Sequence, residues 1–105
     1  LTKAGTLTGL DQTTGVGRKT TTSSSQYTLV DKADYSDDKA HKVYIKNLST
    51  SNSEFVNIEI GGSNTTLGRL YGGDWAFLPY DGSNDIDIDT SANAMSIEYM
   101  VIYEQ

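Results

Sequence analysis

The sequence contains no cysteine, one proline, one tryptophan and one histidine among its 105 residues. Without cysteine it forms neither disulfides nor thiolate metal sites, although this says nothing about its compartment. It has no run of about 18 apolar residues, so no membrane-spanning helix is predicted. Lys and Arg are absent beyond Asp74, where the chain is acidic, and the net charge is −6. This balance argues against nucleic-acid binding, which usually needs a basic face.

The length predicts one folded domain, and the composition sets its first 25 residues apart. Residues 1–25 hold eleven Ser or Thr, four Gly, and three basic residues against one acidic residue. Such a segment buries too little apolar surface to offset its ordering entropy. We predict an extended arm, which is either a disordered tail or a segment that orders on a partner at a sheet edge. The expected arm contacts are its apolar residues: Leu1, Leu7, Leu10 and Val16.

From residue 26 onward, apolar residues recur mostly at every second position, which predicts β-strands. Short strands alternate with turns rich in Gly, Asn and Ser, a spacing typical of antiparallel β-proteins. Residues 31–42 are charge-dense and predict a surface loop, with a short helical turn near residues 36–40. We therefore predict an all-β domain over residues 26–105, either a jelly-roll-like antiparallel sandwich or a small barrel. The predicted strands outside the central segment cover residues 26–30, 43–46, 54–60, 85–89 and 95–103.

The densest apolar segment spans residues 67–79 and contains a Gly72-Gly73 pair. Paired glycines supply the positive φ that tight turns need, so this segment predicts a β-hairpin. Trp75 and Phe77 are two residues apart and share one face of a strand. Because large aromatic side chains bury much surface, we expect the hairpin to seed the core. The predicted core residues are Val43, Ile45, Val56, Ile58, Ile60, Leu67, Leu70, Trp75, Phe77, Ile86, Ile88 and Ile97.

The last predicted strand carries apolar residues on both of its faces. Ile97, Tyr99, Val101 and Tyr103 share one face with Met95, whereas Met100 and Ile102 lie on the other face with Ser96 and Glu98. A strand buried on both sides would have this pattern, and so would a strand whose outer face contacts another subunit. The interface candidates are Tyr99, Met100, Ile102 and Tyr103.

Few residues suggest chemistry. His41 is the only histidine, and without placed partners it predicts a solvated surface residue rather than a catalytic base. The carboxylates at positions 81, 85, 87 and 89 are candidate calcium ligands, but their spacing does not match an EF-hand loop. An acidic stripe that protects a sheet edge is the simpler interpretation. We therefore expect no enzyme, no cofactor and no metal.

Seven tyrosines and one tryptophan leave a carbohydrate-binding module open, with aromatic side chains as platforms for sugars. Tyrosine is also a common strand and interface residue, and this simpler explanation is favoured. The candidate platform residues are Tyr44, Tyr71, Trp75, Tyr80, Tyr99 and Tyr103.

The order of sequence elements from residue 43 to residue 104 resembles small bacteriophage virion proteins of the capsid decoration, or cement, type. The strand Val-Tyr-Ile-Lys-Asn begins at Val43, and Phe-Val-Asn-Ile-Glu-Ile begins at Phe55. The segment Leu-Gly-Arg-Leu-Tyr-Gly-Gly-Asp-Trp-Ala-Phe-Leu-Pro follows from Leu67, and the final strand Ser-Ile-Glu-Tyr-Met-Val-Ile-Tyr-Glu begins at Ser96. Residues 1–42 carry none of this resemblance.

The resemblance implies a non-catalytic β-sandwich, often dimeric or trimeric, that binds the outside of an assembled capsid. The expected partners are the major capsid protein lattice and other copies of the chain, with no nucleic acid and no membrane. The expected location is the exterior of the virion. Two alternatives remain: a structural module of a phage tail, collar or fibre base, and a carbohydrate-binding β-sandwich.

Overall fold

A computed structural model describes residues 12–21, 26–61, 65–92 and 94–104. Nine β-strands and one short 3₁₀ turn, Lys32–Asp34, account for their regular structure. No helix in these ranges is long and apolar enough to cross a membrane. The strands are β1 (Gln12–Thr13), β2 (Gly17–Thr20), β3 (Gln26–Val30), β4 (His41–Asn47), β5 (Phe55–Ile60), β6 (Thr65–Tyr71), β7 (Trp75–Tyr80), β8 (Ile86–Thr90) and β9 (Ser96–Tyr103).

The strands form two antiparallel sheets that pack as a sandwich, which confirms the predicted fold class. The five-stranded sheet has the order β1-β9-β4-β7, with β2 also paired to β9. The four-stranded sheet has the order β3-β8-β5-β6. From β2 onward, successive strands alternate between the sheets, except for the paired neighbours β5 and β6, so that one sheet contains β2-β9-β4-β7 and the other contains β3-β8-β5-β6. This is the strand order of a jelly roll.

The core lies between the two sheets and comes from alternate residues of the inner strands. Val43 and Ile45 of β4 are fully buried, and Ile86 and Ile88 of β8 face them from the other sheet. Ile60 is partly buried and packs against this cluster. Burying an aliphatic side chain stabilises the fold by roughly 1.5–3 kcal/mol. The other buried core side chains include Leu29, Val30, Val56, Ile58, Leu70, Tyr80, Ile97 and Val101.

Residues 67–79 form a corner between the sheets rather than the predicted hairpin. β6 pairs with β5 in one sheet and β7 pairs with β4 in the other, so the Gly72-Gly73 turn carries the chain across the sandwich. The prediction that Leu67, Trp75 and Phe77 belong to the core is wrong, because they are 59%, 63% and 51% exposed. Both alternating sets of β7 are apolar, and the inward set is Ala76, Leu78 and Tyr80.

The acidic stripe lies on a central strand, not at an edge. β8 pairs with both β3 and β5, so Asp87 and Asp89 are on the outer face of an interior strand. Asp87 is buried, with Glu59 of β5 directly opposite. The edge-protecting role predicted for these carboxylates is therefore wrong, because local alternation does not reveal which strands flank a segment.

Part of the predicted arm is built into the sheet. β1 and β2 pair antiparallel with β9, and Thr14 N–H donates to Val101 O at 2.9 Å. Thr21 is fully buried, and its backbone N–H donates to Met95 O. A truncation after residue 25 would consequently strip paired strands from β9. The truncation that tests the arm must stop before Gln12.

His41 is fully buried, which contradicts its predicted surface position. It falls in step with Val43, Ile45 and Asn47, the inward set of β4. Its Nδ1 accepts the backbone N–H of Glu104 at 3.1 Å, so Nε2 carries the ring hydrogen and donates to Ser36 O at 2.8 Å. The ring centroids of Tyr35 and Tyr80 lie 5.7 Å from the imidazole centroid.

Because the Tyr80 hydroxyl is buried, we expect the free energy of unfolding to fall in alkaline solution. Its hydroxyl donates to Asn84 O at 2.6 Å, and burial, followed by the charge of Asp85, raises the pKa of Tyr80. Since the folded state then holds the proton more tightly than the unfolded state, this stabilisation is complete below about pH 10 and is lost as the pH rises further. Thermal midpoints measured across this range should fall in the wild type and fall less steeply in Tyr80→Phe.

The Tyr80→Phe variant should also be less stable at neutral pH by roughly 1 kcal/mol, because Asn84 O loses its donor. Tyr71→Phe, at an exposed tyrosine, is the matched control and should keep the wild-type stability at neutral pH. Equal alkaline slopes for Tyr80→Phe and the wild type would contradict this assignment.

Candidate interaction surface

The outer face of the five-stranded sheet presents a contiguous group of large apolar side chains. We call this group the aromatic face and define it by Tyr44, Trp75, Phe77, Pro79, Met100 and Ile102. Trp75 and Phe77 are its most exposed large members, whereas Tyr44, Met100 and Ile102 are half-buried. Contiguous exposed apolar patches of this kind typically mark interaction sites.

The strand register places these side chains in rows across three neighbouring strands. Tyr44 of β4 lies opposite Phe77 of β7 on one side and Met100 of β9 on the other. The next row places Lys42 between Pro79 and Ile102. Directly opposed residues on one sheet face have Cβ atoms roughly 4.5–5.5 Å apart, so each row is a continuous contact surface.

Apart from Lys42, the charged groups on this face cluster around Glu98. Lys46 lies between Trp75 and Glu98, and Arg18 Nη2 is 3.6 Å from Glu98 Oε2. Tyr44 Oη donates to Glu98 Oε1 at 2.9 Å. Desolvation, together with this hydrogen bond and the nearby carboxylate charge, raises the pKa of Tyr44. Glu98 thus orients the tyrosine ring within the face.

Beside the aromatic face, the sandwich is open between β6 and β7. Within the described residues, β6 pairs only with β5 and β7 pairs only with β4. A cleft of about 580 Å³ lies at this side, with Ile60, Leu67 and Leu78 among its apolar lining residues. Lys39, Lys42 and Asp81 also line it. The exposed Leu67 therefore belongs to the mouth of this cleft.

The structure divides the predicted interface residues between the two sides of β9. Met100 and Ile102 lie on the aromatic face. Tyr99 and Tyr103 lie on the inner face, partly buried against the core, so they are not part of the aromatic face. Among the predicted arm contacts, Val16 is 64% exposed, whereas Leu1, Leu7 and Leu10 lie outside the described residues.

The candidate sugar platform is also only partly on the surface. Tyr80 is buried, and Tyr99 and Tyr103 face inward, so these three do not form an exposed platform. Tyr44 and Trp75 remain on the aromatic face, while Tyr71 is exposed on β6. Phe77 joins them, although the sequence had suggested a core position for it.

The outer face of the four-stranded sheet has a different character. Glu59 and Asp87 lie opposite each other, and Gln26 Nε2 donates to Glu59 Oε1 at 2.6 Å. Asp87 Oδ1 is buried without a hydrogen-bond partner. In the described part of the chain, no group of three or more His, Asp or Glu residues is arranged to hold a metal ion. The face is therefore acidic around β8, whereas its β5–β6 side carries the Phe55 and Tyr71 rings and Arg69.

Comparison with known proteins provides a likeness of fold. No protein-family model matches the chain, and no curated protein matches it. Among solved structures, the Yersinia pseudotuberculosis-derived mitogen is similar with a TM-score of 0.51 and 9% identity, over 90% of this chain and 86% of that one. A Bacillus endospore appendage protein, described as forming disulfide-linked pili, has a TM-score of 0.51 and 14% identity, over 98% of this chain and 100% of that one.

A carbohydrate-binding module of a Zobellia galactanivorans laminarinase has a TM-score of 0.45 and 10% identity, over 89% of this chain and 91% of that one. Its similarity is too low to support an argument about function. The Bacillus appendage is described as disulfide-linked, whereas the present chain contains no cysteine. The similar structures therefore support the sandwich fold alone, which hosts many unrelated functions.

Proposed function

We propose that the chain is a non-catalytic structural subunit that binds a protein lattice through its aromatic face, as a decoration protein on the outside of a phage capsid. The exposure of Trp75 and Phe77 beside Tyr44 carries this proposal. Water-exposed aromatic groups of this size are unfavourable unless a partner covers them, and aromatic residues are enriched in protein interfaces. The resemblance of residues 43–104 to decoration proteins supports the same function.

The mechanism is additive stabilisation. A subunit that binds the assembled lattice more tightly than the open one shifts the equilibrium toward the assembled form by mass action. Many copies at symmetric positions, each with modest affinity, together oppose opening of the lattice. In this proposal the segment before Gln12 contributes further contacts, with Leu1, Leu7 and Leu10 as its apolar anchors, and simultaneous contacts raise the total affinity through avidity.

Sedimentation with capsids provides the test. Purified chain should co-sediment with undecorated capsids of a phage that encodes it, and each of Met100→Lys and Ile102→Lys should weaken binding by about tenfold or more, or roughly 1.4 kcal/mol. Both substitutions place a charge on the aromatic face while keeping the inward residues of β9. The matched control Glu104→Lys adds a lysine just beyond the end of β9 and should bind like the wild type.

Two further results would contradict the proposal. If the chain is absent from purified particles, it is not a virion protein. If quantitative mass spectrometry finds a dozen copies or fewer in each particle, a tail, collar or fibre-base module becomes the better assignment, since a decoration protein should occur in hundreds of copies.

A carbohydrate-binding function is the second candidate because Trp75 and Phe77 lie two residues apart on one exposed strand face. Successive side chains on a face are roughly 6.8 Å apart, so the two rings could stack on neighbouring sugars. Pull-down with insoluble polysaccharides distinguishes the candidates. Binding that is lost in Trp75→Ala and retained in Met100→Lys would favour the sugar-binding function over the lattice-binding function.

A further inference from the structure

The edge strands of the two sheets differ in how well they are protected from pairing with another chain. Sheet edges carry unpaired backbone groups, and proteins protect them with bulges, charges, prolines or short strands. The register of β3 shifts between Thr28 and Val30, and that of β6 shifts where it faces Ile58 and Glu59. β1 and β2 span only two and four residues, and Arg18 lies on β2.

β7 is the least protected of these edges. It is six residues long, it contains no charged residue, and its register with β4 is uninterrupted. Pro79, next to its last residue, is the one protective feature in the strand. The two most exposed rings of the aromatic face, Trp75 and Phe77, are on this strand. Long, regular, apolar edges of this kind are templates for strand addition.

The backbone of β7 has hydrogen-bonding groups to offer at this edge. Asn47 N–H donates to Asp74 O at 3.0 Å, which shows that Asn47 directs its backbone toward β7. In an antiparallel pair, the backbone N–H and C=O groups of successive residues point to opposite sides of the strand. Ala76 and Leu78 therefore bond to β4, whereas Trp75 and Phe77 direct their N–H and C=O groups away from β4, toward the open edge. Pro79 also falls at an outward position, where its missing N–H removes no bond to β4.

We infer that β7 is a self-association edge, which pairs antiparallel with β7 of a second copy across a twofold axis. The two five-stranded sheets then become one continuous sheet, and Trp75 and Phe77 of both copies meet on its outer face. A twofold contact uses the same strand on both sides, so no second surface has to be complementary. Trp75 and Phe77 supply the donors, and C=O groups of the partner strand, including that of Pro79, accept.

The available surface predicts a weak dimer. The exposed parts of the four rings that meet at this contact amount to roughly 350–600 Å² if a large aromatic side chain buries about 150–250 Å² in full. Standard interfaces bury at least about 1,200 Å² in total, so Leu67, Pro79 and the strand backbone must supply the remainder. Each copy also carries a net charge of −6, so added salt should strengthen the association by screening repulsion.

Sedimentation equilibrium of the full chain, from low-micromolar to submillimolar concentration, tests the inference. We expect a monomer–dimer equilibrium that tightens with salt. Phe77→Lys should weaken dimerisation by at least about tenfold, or roughly 1.4 kcal/mol, because it places a charge at the paired edge. Met100→Lys is the matched control, since it lies on the same face two strands away from β7 and should dimerise like the wild type.

Hydrogen exchange provides a test that needs no variant. The amides of Trp75 and Phe77 should become protected as the protein concentration rises, whereas those of β6 should not change. A monomer at every concentration would overturn the inference, and so would a dimer that Met100→Lys disrupts as strongly as Phe77→Lys, since the latter indicates face-to-face packing. The inference does not depend on lattice binding, because sedimentation equilibrium of the chain alone contains no capsid and therefore measures self-association only.

Discussion

Gly82→Ala is expected to lower the free energy of unfolding by roughly 2–5 kcal/mol, which combines the cost of a left-handed backbone with that of overpacking. Gly82 has a φ of +83°, and a Cβ added there would overlap Ser36 O and come within 3.1 Å of His41 Nε2. The overlapping atom is a backbone carbonyl that already accepts the hydrogen of His41 Nε2. Ser36 O therefore cannot move away from the added methyl group without disturbing its hydrogen bond to His41 of β4.

Gly73→Ala separates the two causes of this loss. Gly73 has a similar φ of +86°, but a Cβ there has no other atom within 4 Å. It should therefore cost only the backbone term, roughly 1–2 kcal/mol. Since each kcal/mol lowers the thermal midpoint of a domain of this size by roughly 4–8 °C, calorimetry resolves the difference. Equal midpoints for the two variants would show that the turn yields to the added methyl group.

The sandwich itself could be predicted from the sequence because alternation with period 2 survives in β4, β5, β8 and β9. In β4 the same alternation predicts that His41 is buried, because it lies on the same strand face as Val43 and Ile45. We predicted a surface position because His41 belongs to the charge-dense segment of residues 31–42 and the sequence placed no partner for its ring. The periodic pattern is the better guide, since a histidine with both ring nitrogens bonded can be buried at little cost.

The inner face of β7 could not be predicted in the same way. Trp75 and Phe77 form one alternating set, while Ala76, Leu78 and Tyr80 form the other, and both are apolar. Hydrophobic alternation identifies the residues that share a face, but it selects the buried face only when the other one is polar. We assigned Trp75 and Phe77 to the core because they are the larger side chains. The sequence therefore did not predict the most exposed part of the aromatic face.

The corner between β6 and β7 was missed because a glycine pair is compatible with both a hairpin and a sheet-to-sheet turn. The decision comes from distant contacts. Gly72 lies against the 49–51 loop so closely that a Cβ would come within 2.7 Å of Ser49 O. Gly73 N–H donates to Asn47 O at 2.9 Å. Neither contact has a local signal in the sequence, so the candidate site emerges only from the assembled fold.

Asn47 forms hydrogen bonds that hold the turn between β6 and β7, so we expect its replacement to lower the free energy of unfolding strongly. Its side chain is fully buried, its Nδ2 donates to Leu70 O at 3.1 Å and to Glu54 O at 3.4 Å, and its Oδ1 accepts Ser49 N–H at 3.0 Å. Asn47→Leu would leave these backbone groups without partners, and each buried unpaired group costs about 1–3 kcal/mol. We expect a loss of roughly 3–5 kcal/mol in denaturant unfolding.

Asn57→Leu is the matched control, because Asn57 lies on the outer face of β5 and bonds the exposed Arg69 Nε at 2.9 Å. It should cost less than about 1 kcal/mol, as surface substitutions usually do. The Asn47 side chain joins β4 of one sheet to β6 of the other, and its backbone holds Gly73 and Asp74 immediately before β7. Asn47→Leu should therefore also weaken self-association under conditions where it remains folded. A variant as stable and as dimeric as the wild type would show that β7 is positioned by its pairing with β4 alone.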